Sequence, residues 1–287
     1  MIITEKRAKT LKKSENVTCL KVKSMVDFEN KIRYDVYDLK KIINILREPG
    51  GCPWDSEQTH QSIRRNLLEE AYEAAEAIDT SDTELLREEL GDVLMQIVFH
   101  SDIEEKAGHF ELDDVADAAC RKLIRRHPHV FGNADVKDAQ EVIVNWDNIK
   151  SNERNHKKVT DEMLSVAKSL PALWRAEKIQ QKAAKVGFDW PDHTGALDAL
   201  RSELRELEDA IESGSGISEE LGDLVFSAVN LSRFFEVDLE DALGYTSDKF
   251  IKRFGQVEKS ALSLQKNLQD MTLDEMEDLY IKAKLEE

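Results

Sequence analysis

Two acidic clusters with the same internal spacing are the part of this sequence best suited to chemistry. Each has a Glu-x-x-Glu pair followed by Glu-Leu-Gly-Asp, and the members are Glu70, Glu73, Glu89 and Asp92 in the first cluster and Glu203, Glu206, Glu220 and Asp223 in the second. Residues three apart share a helix face, so each cluster predicts two carboxylates from each of two neighbouring helices. Such carboxylates repel one another unless a cation neutralises them. Because oxygen ligands favour hard ions, the spacing predicts Mg²⁺ sites, with Mn²⁺ as a substitute.

The clusters also have two alternative interpretations. A single Glu-x-x-Glu pair is more often a solvated helix face paired with Lys or Arg. The recurrence of the whole pattern, its place beside an apolar stripe and the small residues Gly91 and Gly222 favour a metal site instead. A di-iron centre needs Glu-x-x-His on two helices, whereas both first-cluster motifs end in carboxylates, at Glu73 and Asp92. Di-iron chemistry is therefore not expected.

Amphipathic helices must position these carboxylates. Apolar residues at helical spacing predict helices near 34–47, 63–78, 86–108 and 113–126 in the first half, and near 172–185, 197–213, 218–235 and 239–259 in the second. The predicted buried stripe of the helix that carries Glu70 is Ile63, Leu67, Ala71, Ala75 and Ile78. Short connections between such helices favour antiparallel bundles. The predicted fold class is all-α, with two tandem helical bundle modules.

The segment between the first two predicted helices is read as a connection. Cys52-Pro53-Trp54-Asp55 is predicted to be a loop, and Asp55 or Ser56 is expected to cap the helix that follows. Trp54 and its second-half counterpart Trp190 more often fill a core or plug a loop than bind a base. An aromatic ring beside a phosphate-binding site can nevertheless hold a nucleobase, so both interpretations stay open.

The order of these features repeats, which divides the chain. A basic pair with i,i+4 spacing follows each acidic cluster, and the two pairs are Lys122 with Arg126 and Lys249 with Arg253. The predicted domains are a basic N-terminal extension at 1–33, an N-terminal module at 34–150, a linker at 151–170 and a C-terminal module at 171–287. The extension is predicted to be a disordered tail or an upstream extension of the start site, with a transit peptide or an interaction arm as alternatives.

Composition limits the classes of protein that fit. The chain has 287 residues, 41% of them hydrophobic, which is enough for two domains with cores of their own. A formal net charge of −18 argues against general DNA or RNA binding, which needs a dominant basic face. The three cysteines are scattered and suggest reduced thiols in a cytoplasmic protein. No apolar run is long enough to predict a membrane span.

At this point the motifs can be matched to a known family. The chain from about Tyr34 onward closely resembles the MazG family of nucleoside triphosphate pyrophosphohydrolases, and the residues that carry the resemblance are Gly51-Cys52-Pro53-Trp54-Asp55, 68–73, 88–92, Arg126-His127-Pro128-His129-Val130-Phe131 and 178–190. The resemblance implies an all-α homodimer that needs Mg²⁺. It also implies cleavage of ribo- and deoxyribonucleoside triphosphates to the monophosphate and pyrophosphate, a house-cleaning or nucleotide-pool activity in the cytoplasm.

The resemblance also assigns roles to residues. The eight cluster carboxylates are implied as metal ligands, and the implied substrate contacts are Glu203, Glu219, Asp223, Lys249, Arg253, Tyr280 and Lys284, with Lys122, Arg126 and Trp54 in the first module. Lys249 and Arg253 are expected to stabilise charge on the pyrophosphate leaving group. Glu219 adjoins a ligand without being one, which makes it the candidate general base.

Two positions depart from the family pattern, and the two modules differ in the residues that bear on activity. Ser202 replaces the first Glu of the family's Glu-Glu-x-x-Glu, and Gly216 stands where a lysine occurs near the substrate. The residues themselves leave open which module is more active, because the first has the fuller acidic run, Glu69 included, whereas Tyr280 and Lys284 follow only the second. The resemblance implies that the C-terminal module carries most turnover, and this is the prediction. The rival hypothesis is a nucleotide sensor or helical partner-binding protein that keeps the metal without hydrolysing its ligand.

Overall fold

The computed structural model describes residues 28–153 and 158–286, and these residues form helices and turns without a β-strand. This confirms the all-α fold class. The basic residues of the N-terminal extension that precede residue 28 lie outside the described part of the chain. Contacts divide the molecule into two compact units, one up to Lys137 and the other from Asp138 onward.

The first unit contains six α-helices within the described residues. They are α1 (Val36–Arg47), α2 (Pro53–Ser56), α3 (His60–Asp79), α4 (Thr83–Ala107), α5 (Leu112–Arg126) and α6 (Pro128–Phe131). The helices α3 and α4 form a hairpin joined by residues 80–82, and Asp82 caps α4 by accepting from the backbone N–H groups of Glu84 and Leu85. The helix α1 packs on α4, and the core consists of Ile43, Ile63, Val98, Phe99 and Leu112.

The second unit repeats the hairpin and adds helices before and after it. Its described elements are α7 (Ala139–Glu153), α8 (Val159–Leu164), α9 (Ala172–Ala184), α10 (His193–Ser213), α11 (Ile217–Arg233), α12 (Leu239–Ser263), a 3₁₀ turn (Leu268–Asp270) and α13 (Leu273–Leu285). The turn between α10 and α11 needs Gly214 and Gly216, whose φ angles of 71° and 80° are left-handed. The helix α7 falls in this unit, although the sequence boundary at 150 had placed it with the first module.

A smaller core forms between the last two helices. Val257 and Ala261 of α12 pack against Met271 and Leu279, so α13 folds back along α12. The helix α12 is also tied to α9, because the indole N–H of Trp174 donates to the carboxylate of Asp238, the N-cap of α12, over 2.9 Å.

The loop prediction before α3 was wrong in two details. Pro53 begins the short helix α2, because its fixed φ suits the first helical position. The helix α3 is capped by Thr59 rather than by Asp55 or Ser56, and Thr59 and Ser62 form a reciprocal capping box. The helix α3 therefore begins at His60, after the short helix α2.

The predicted buried stripe of α3 was wrong beyond Leu67. The buried residues are Ile63, Ala74 and Ala77, whereas Ile78 is exposed. An α-helix has 3.6 residues per turn, so one face of α3 contains Ile63, Glu70, Ala74 and Ala77. The predicted stripe advanced four residues at nearly every step and therefore drifted away from that face. Glu70 therefore lies on the inward face of the helix itself. None of the described helices has the apolar stretch that a bilayer crossing requires.

Candidate functional site

The α3–α4 hairpin brings the first acidic cluster together. Glu70 and Glu73 lie on α3, and Glu89 lies on α4. One carboxylate oxygen from each of these three residues lies within 4.8 Å of the other two. The expected role of Gly91 and Gly222 in a close approach of the helices was wrong, because a Cβ at either position would meet no atom of a neighbouring helix within 4 Å. Three oxygens this close, on two helices held by a capped turn, could together hold one divalent cation.

Burial and mutual repulsion oppose the ionisation of the carboxylates in this cluster when no cation is bound. Burial, followed by the charges of Asp92 and Glu73, raises the pKa of Glu70 to about 7. Burial, followed by the charges of Glu73 and Asp92, also raises the pKa of Glu89. Both shifts oppose ionisation, so a cation that stabilises the charged forms would be bound favourably.

The α10–α11 hairpin builds the second cluster in the same way. Oxygens of Glu203, Glu220 and Asp223 lie within 4.8 Å of one another. Burial, followed by the charge of Glu206, raises the pKa of both Glu203 and Glu220, and Asp223 adds to each shift. Among the described residues, these two clusters are the groups of acidic, His or Cys side chains spaced closely enough to share an ion.

Each cluster brings together three of its four predicted ligands. The fourth residue is Asp92 in the first unit and Glu206 in the second, and neither belongs to the set of oxygens within 4.8 Å. Both still act on the cluster through their charge. Glu206 accepts a hydrogen bond from the Ser202 hydroxyl over 3.2 Å, so the residue that departs from the family pattern holds a predicted ligand.

The predicted phosphate-binding residues of the second unit lie on other helices than the carboxylates. Lys249 and Arg253 lie on α12, and Tyr280 and Lys284 lie on α13. The packing of α12 on α13 places the Arg253 guanidinium carbon 6.0 Å from the centre of the Tyr280 ring. Phe250 is also close, with its ring centre 5.7 Å from that of Tyr280. The candidate base Glu219 lies in the first turn of α11, beside Glu220.

The first-unit counterparts are arranged on separate helices as well. Lys122 and Arg126 lie on α5, and Trp54 lies on α2 with 62% of its surface exposed. Glu69, which precedes the ligand Glu70, accepts a hydrogen bond from Arg65 over 2.7 Å. That bond makes Glu69 part of an exposed ion pair along α3.

A cavity of about 650 Å³ adjoins the second cluster, and Glu203 lines both. Its walls come from α8, α9, α10, α11 and the loop before α10, and they include Ile179, Gln180, Phe188, Trp190, Phe226 and Asn230. The loop is held by an ion pair in which Arg233 Nη2 donates to Asp189 Oδ2 over 2.6 Å. Volume, apolar lining and a few polar groups are typical of a small-molecule site.

The corresponding positions of the first unit hold larger or charged side chains. Aligning Trp54 with Trp190 and Glu89 with Glu220 pairs Ala183 with Arg47, and Asn230 with Phe99. The Arg47 guanidinium carbon lies 4.7 Å from the centre of the Phe99 ring, and Arg47 Nε donates to buried Asp102 over 2.6 Å. In the first unit these positions are therefore occupied by an ion pair and by a ring that belongs to the core.

Two polar residues that line this cavity, Gln180 and Asn230, had no role predicted from the sequence. Gln180 is buried and Asn230 is partly buried, and neither belongs to an acidic or basic motif. The available signal was the position of Gln180 on α9, where it shares a helix face with Leu173, Ala176 and Ala183. A glutamine in a core-facing position needs a polar partner, and such a residue is a sequence signal for a binding site.

Comparison with known proteins agrees with this arrangement. The model of the MazG nucleotide pyrophosphohydrolase domain matches residues 58–131 and 192–257, so each match contains one acidic cluster. The chain is 41% identical to the nucleoside triphosphate pyrophosphohydrolase/pyrophosphatase MazG of Thermotoga maritima over 247 residues, which cover 86% of this chain and 94% of that protein. It is 38% identical to the nucleoside triphosphate pyrophosphohydrolase of Escherichia coli K12 over 254 residues, or 87% and 97% of the two chains.

Proposed function

The chain belongs to the MazG family of nucleotide pyrophosphohydrolases, and we propose that it hydrolyses nucleoside triphosphates to the monophosphate and pyrophosphate. The substrates include both ribo- and deoxyribonucleotides, and Mg²⁺ is the cofactor, with Mn²⁺ as a substitute. The observation that carries the proposal is the placement of Glu203 in both the second carboxylate cluster and the cavity wall. A triphosphate at the cluster would thus have room for its nucleoside beside it.

The donor set fits a hard divalent ion. Both clusters offer carboxylate oxygens alone, which is the ligand chemistry of Mg²⁺ and Mn²⁺. The raised pKa values of Glu203 and Glu220 mark a site where positive charge would relieve repulsion. When bound, Mg²⁺ would neutralise phosphate charge and polarise the phosphorus that is attacked.

The remaining chemistry is assigned to one residue beside the cluster and to residues of α12 and α13. Glu219 adjoins Glu220 without belonging to the cluster of close oxygens, so we assign it the acceptance of a proton from the attacking water. Lys249 and Arg253 supply positive charge for the pyrophosphate as it leaves. Tyr280 lies beside Arg253 and provides an aromatic surface for the nucleotide, and Lys284 on the same helix assists phosphate binding.

The active species is proposed to be a homodimer. Several large apolar side chains of α12 face solvent in the single chain, and they include Tyr245, Phe250 and Ile251. Large exposed apolar side chains are typical of an interface, and a two-fold dimer would cover those of α12 in both copies. The cytoplasm is the proposed location, because nucleoside triphosphates are made and used there and Cys52 and Cys120 are free thiols.

A coupled phosphate assay tests the proposed reaction. The full-length protein is incubated with each of the common ribo- and deoxyribonucleoside triphosphates and Mg²⁺, with and without added inorganic pyrophosphatase. Orthophosphate should form only when pyrophosphatase is present. Without pyrophosphatase, EDTA should stop the formation of the nucleoside monophosphate, measured by chromatography, because the coupling enzyme itself needs Mg²⁺. Orthophosphate release without pyrophosphatase would indicate cleavage at the terminal phosphate and overturn the proposal.

The same assay separates the enzyme from the rival nucleotide sensor. A sensor would bind nucleotide and metal, detectable by calorimetry, without producing pyrophosphate from any substrate. Binding together with turnover supports the hydrolase. Binding without turnover, across all bases and with either Mg²⁺ or Mn²⁺, would favour the sensor.

A further inference from the structure

We propose that Gln180 determines which nucleobases the second unit accepts, by receiving a hydrogen bond from an exocyclic amino group of the base. This inference rests on the proposed function, since it concerns the same site. The base would occupy the cavity of about 650 Å³ that begins at Glu203 and is lined by Gln180 and Asn230.

The orientation of the Gln180 amide is fixed by its own hydrogen bond. Its Nε2 donates to the backbone oxygen of Phe226 over 2.8 Å, so the other end of the amide is the carbonyl oxygen Oε1. Gln180 is only 6% exposed, yet Oε1 has no hydrogen-bond partner among the described residues. Burying an acceptor without a partner is unfavourable, so a donor from a ligand would satisfy it.

A second acceptor lines the same cavity. Oδ1 of Asn230 is also buried and has no partner among the described residues. A ring N–H of a base offers one hydrogen, whereas an exocyclic amino group offers two and can serve two acceptors. The walls from Ile179, Phe188 and Trp190 are apolar or aromatic, which suits the faces of a planar base. The ligand that fits is an amino-bearing base such as adenine.

The first unit provides an internal comparison. Asn44 occupies the position that corresponds to Gln180, and its Nδ2 donates to Asp102 over 3.1 Å. Phe99 occupies the position of Asn230 and packs into the core. In the first unit the equivalent amide therefore donates to a protein partner and Phe99 belongs to the core. Gln180 Oε1 and Asn230 Oδ1 of the second unit have no such partner among the described residues.

Two substrates that differ only in the amino group test the inference on the full-length protein. ATP and purine riboside 5′-triphosphate are identical except that the second lacks the exocyclic amine, which is the one N–H donor group of the adenine base in ATP. The wild-type protein should prefer ATP in kcat/KM by about 10- to 100-fold, because the analogue leaves the acceptors unpaired. Equal kcat/KM values would overturn the role of Gln180 while leaving the proposed function intact. No hydrolysis of either substrate would overturn both.

A variant assigns the preference to the residue. Gln180→Met removes the acceptor at similar volume and should lower kcat/KM for ATP by about 10- to 100-fold, with little change for the analogue, so that the preference disappears. Gln181→Met is the matched control, because Gln181 is the exposed neighbour on the same helix, and it should keep the wild-type preference. Persistence of the ATP preference in Gln180→Met would contradict the inference. If Gln180→Met does not fold, the wild-type comparison still decides whether the amino group is read.

Discussion

Arg47 and Asp102 form a buried ion pair in the first unit, with 2.6 Å between Nε and Oδ2. Arg47 Nη1 also donates to the backbone oxygen of Asp55 over 2.7 Å, which holds the segment that carries Trp54. The second unit has Arg233 in place of Asp102, and Arg233 instead pairs with Asp189 beside Trp190. Both units therefore anchor the tryptophan segment, and in the second unit an open cavity lies beside the carboxylates.

This asymmetry leads to a prediction about the two clusters. Glu220→Ala should lower the rate of triphosphate hydrolysis by roughly a hundredfold or more, because it removes a carboxylate that holds the cation. Glu89→Ala is the matched change in the first unit and should leave most of the activity. The measurement is kcat of both full-length variants with a saturating triphosphate and Mg²⁺, after circular dichroism has shown that both are folded. A dead Glu89→Ala and an active Glu220→Ala would reverse the assignment of the units.

The Arg47–Asp102 pair should be important for the stability of the first unit. Asp102 is 2% exposed, and Arg47→Met would leave its charge with only Lys106 and Asn44 as partners. We expect a loss of roughly 3 kcal/mol in the free energy of unfolding of that unit. Urea unfolding followed by circular dichroism measures it.

The control for that experiment is Arg65→Met. Arg65 pairs with Glu69 on the exposed face of α3, where an ion pair contributes about 0.5 kcal/mol or less. The unfolding curve of Arg65→Met should therefore stay close to that of the wild type. If both variants lost the same stability, burial of the Arg47 pair would not explain the effect.

The stability of the metal-free protein should depend on pH through Glu70. The pKa of Glu70 is raised to about 7 by burial first and by Asp92 and Glu73 next, whereas an unfolded glutamate titrates near ~4.3. Between these values the folded state holds a proton that the unfolded state has lost, so stability falls as pH rises from about 4.5 to about 7. Thermal unfolding in EDTA across this range should show the fall, and Glu70→Gln should reduce it.

The stabilisation that Mg²⁺ provides should increase with pH, opposite to the stability of the metal-free protein. The cation needs the deprotonated carboxylates, so the rise in thermal midpoint that Mg²⁺ causes should be larger at pH 7.5 than at pH 5.5. Differential scanning calorimetry with and without Mg²⁺ measures the two rises. A rise that is the same at both pH values would argue against metal binding at the raised-pKa carboxylates.

The homodimer can be tested by mass. Multi-angle light scattering at micromolar concentration should give twice the chain mass of 32.8 kDa. Ile251 on α12 is 67% exposed in the single chain, and Ile251→Glu should shift the mass toward the monomer, because a charge would be buried in the interface. A monomeric wild type at this concentration would contradict the proposed assembly.

The eight long helices expected from the sequence lie within four residues of their predicted ends, because their apolar period and their capping and Gly-containing turns are local signals. The short helices α2 and α6 were not predicted. The α3–α4 and α10–α11 hairpins followed from the same signals, and three members of each carboxylate cluster are brought together as expected. The inward face of α3 was not predicted beyond Leu67, since small alanines gave no strong apolar line and the inward position is held by Glu70 itself. The cavity depends on packing between α9 and α11, which sequence spacing does not encode.

The most direct test of the account follows the oxygen of the attacking water. Hydrolysis of ATP or dATP by the full-length protein with Mg²⁺ in H₂¹⁸O, analysed by mass spectrometry, shows which phosphorus is attacked. The account predicts that the label enters the nucleoside monophosphate and that the pyrophosphate is unlabelled. Label in the pyrophosphate, or a nucleoside diphosphate and orthophosphate as the main products, would contradict it.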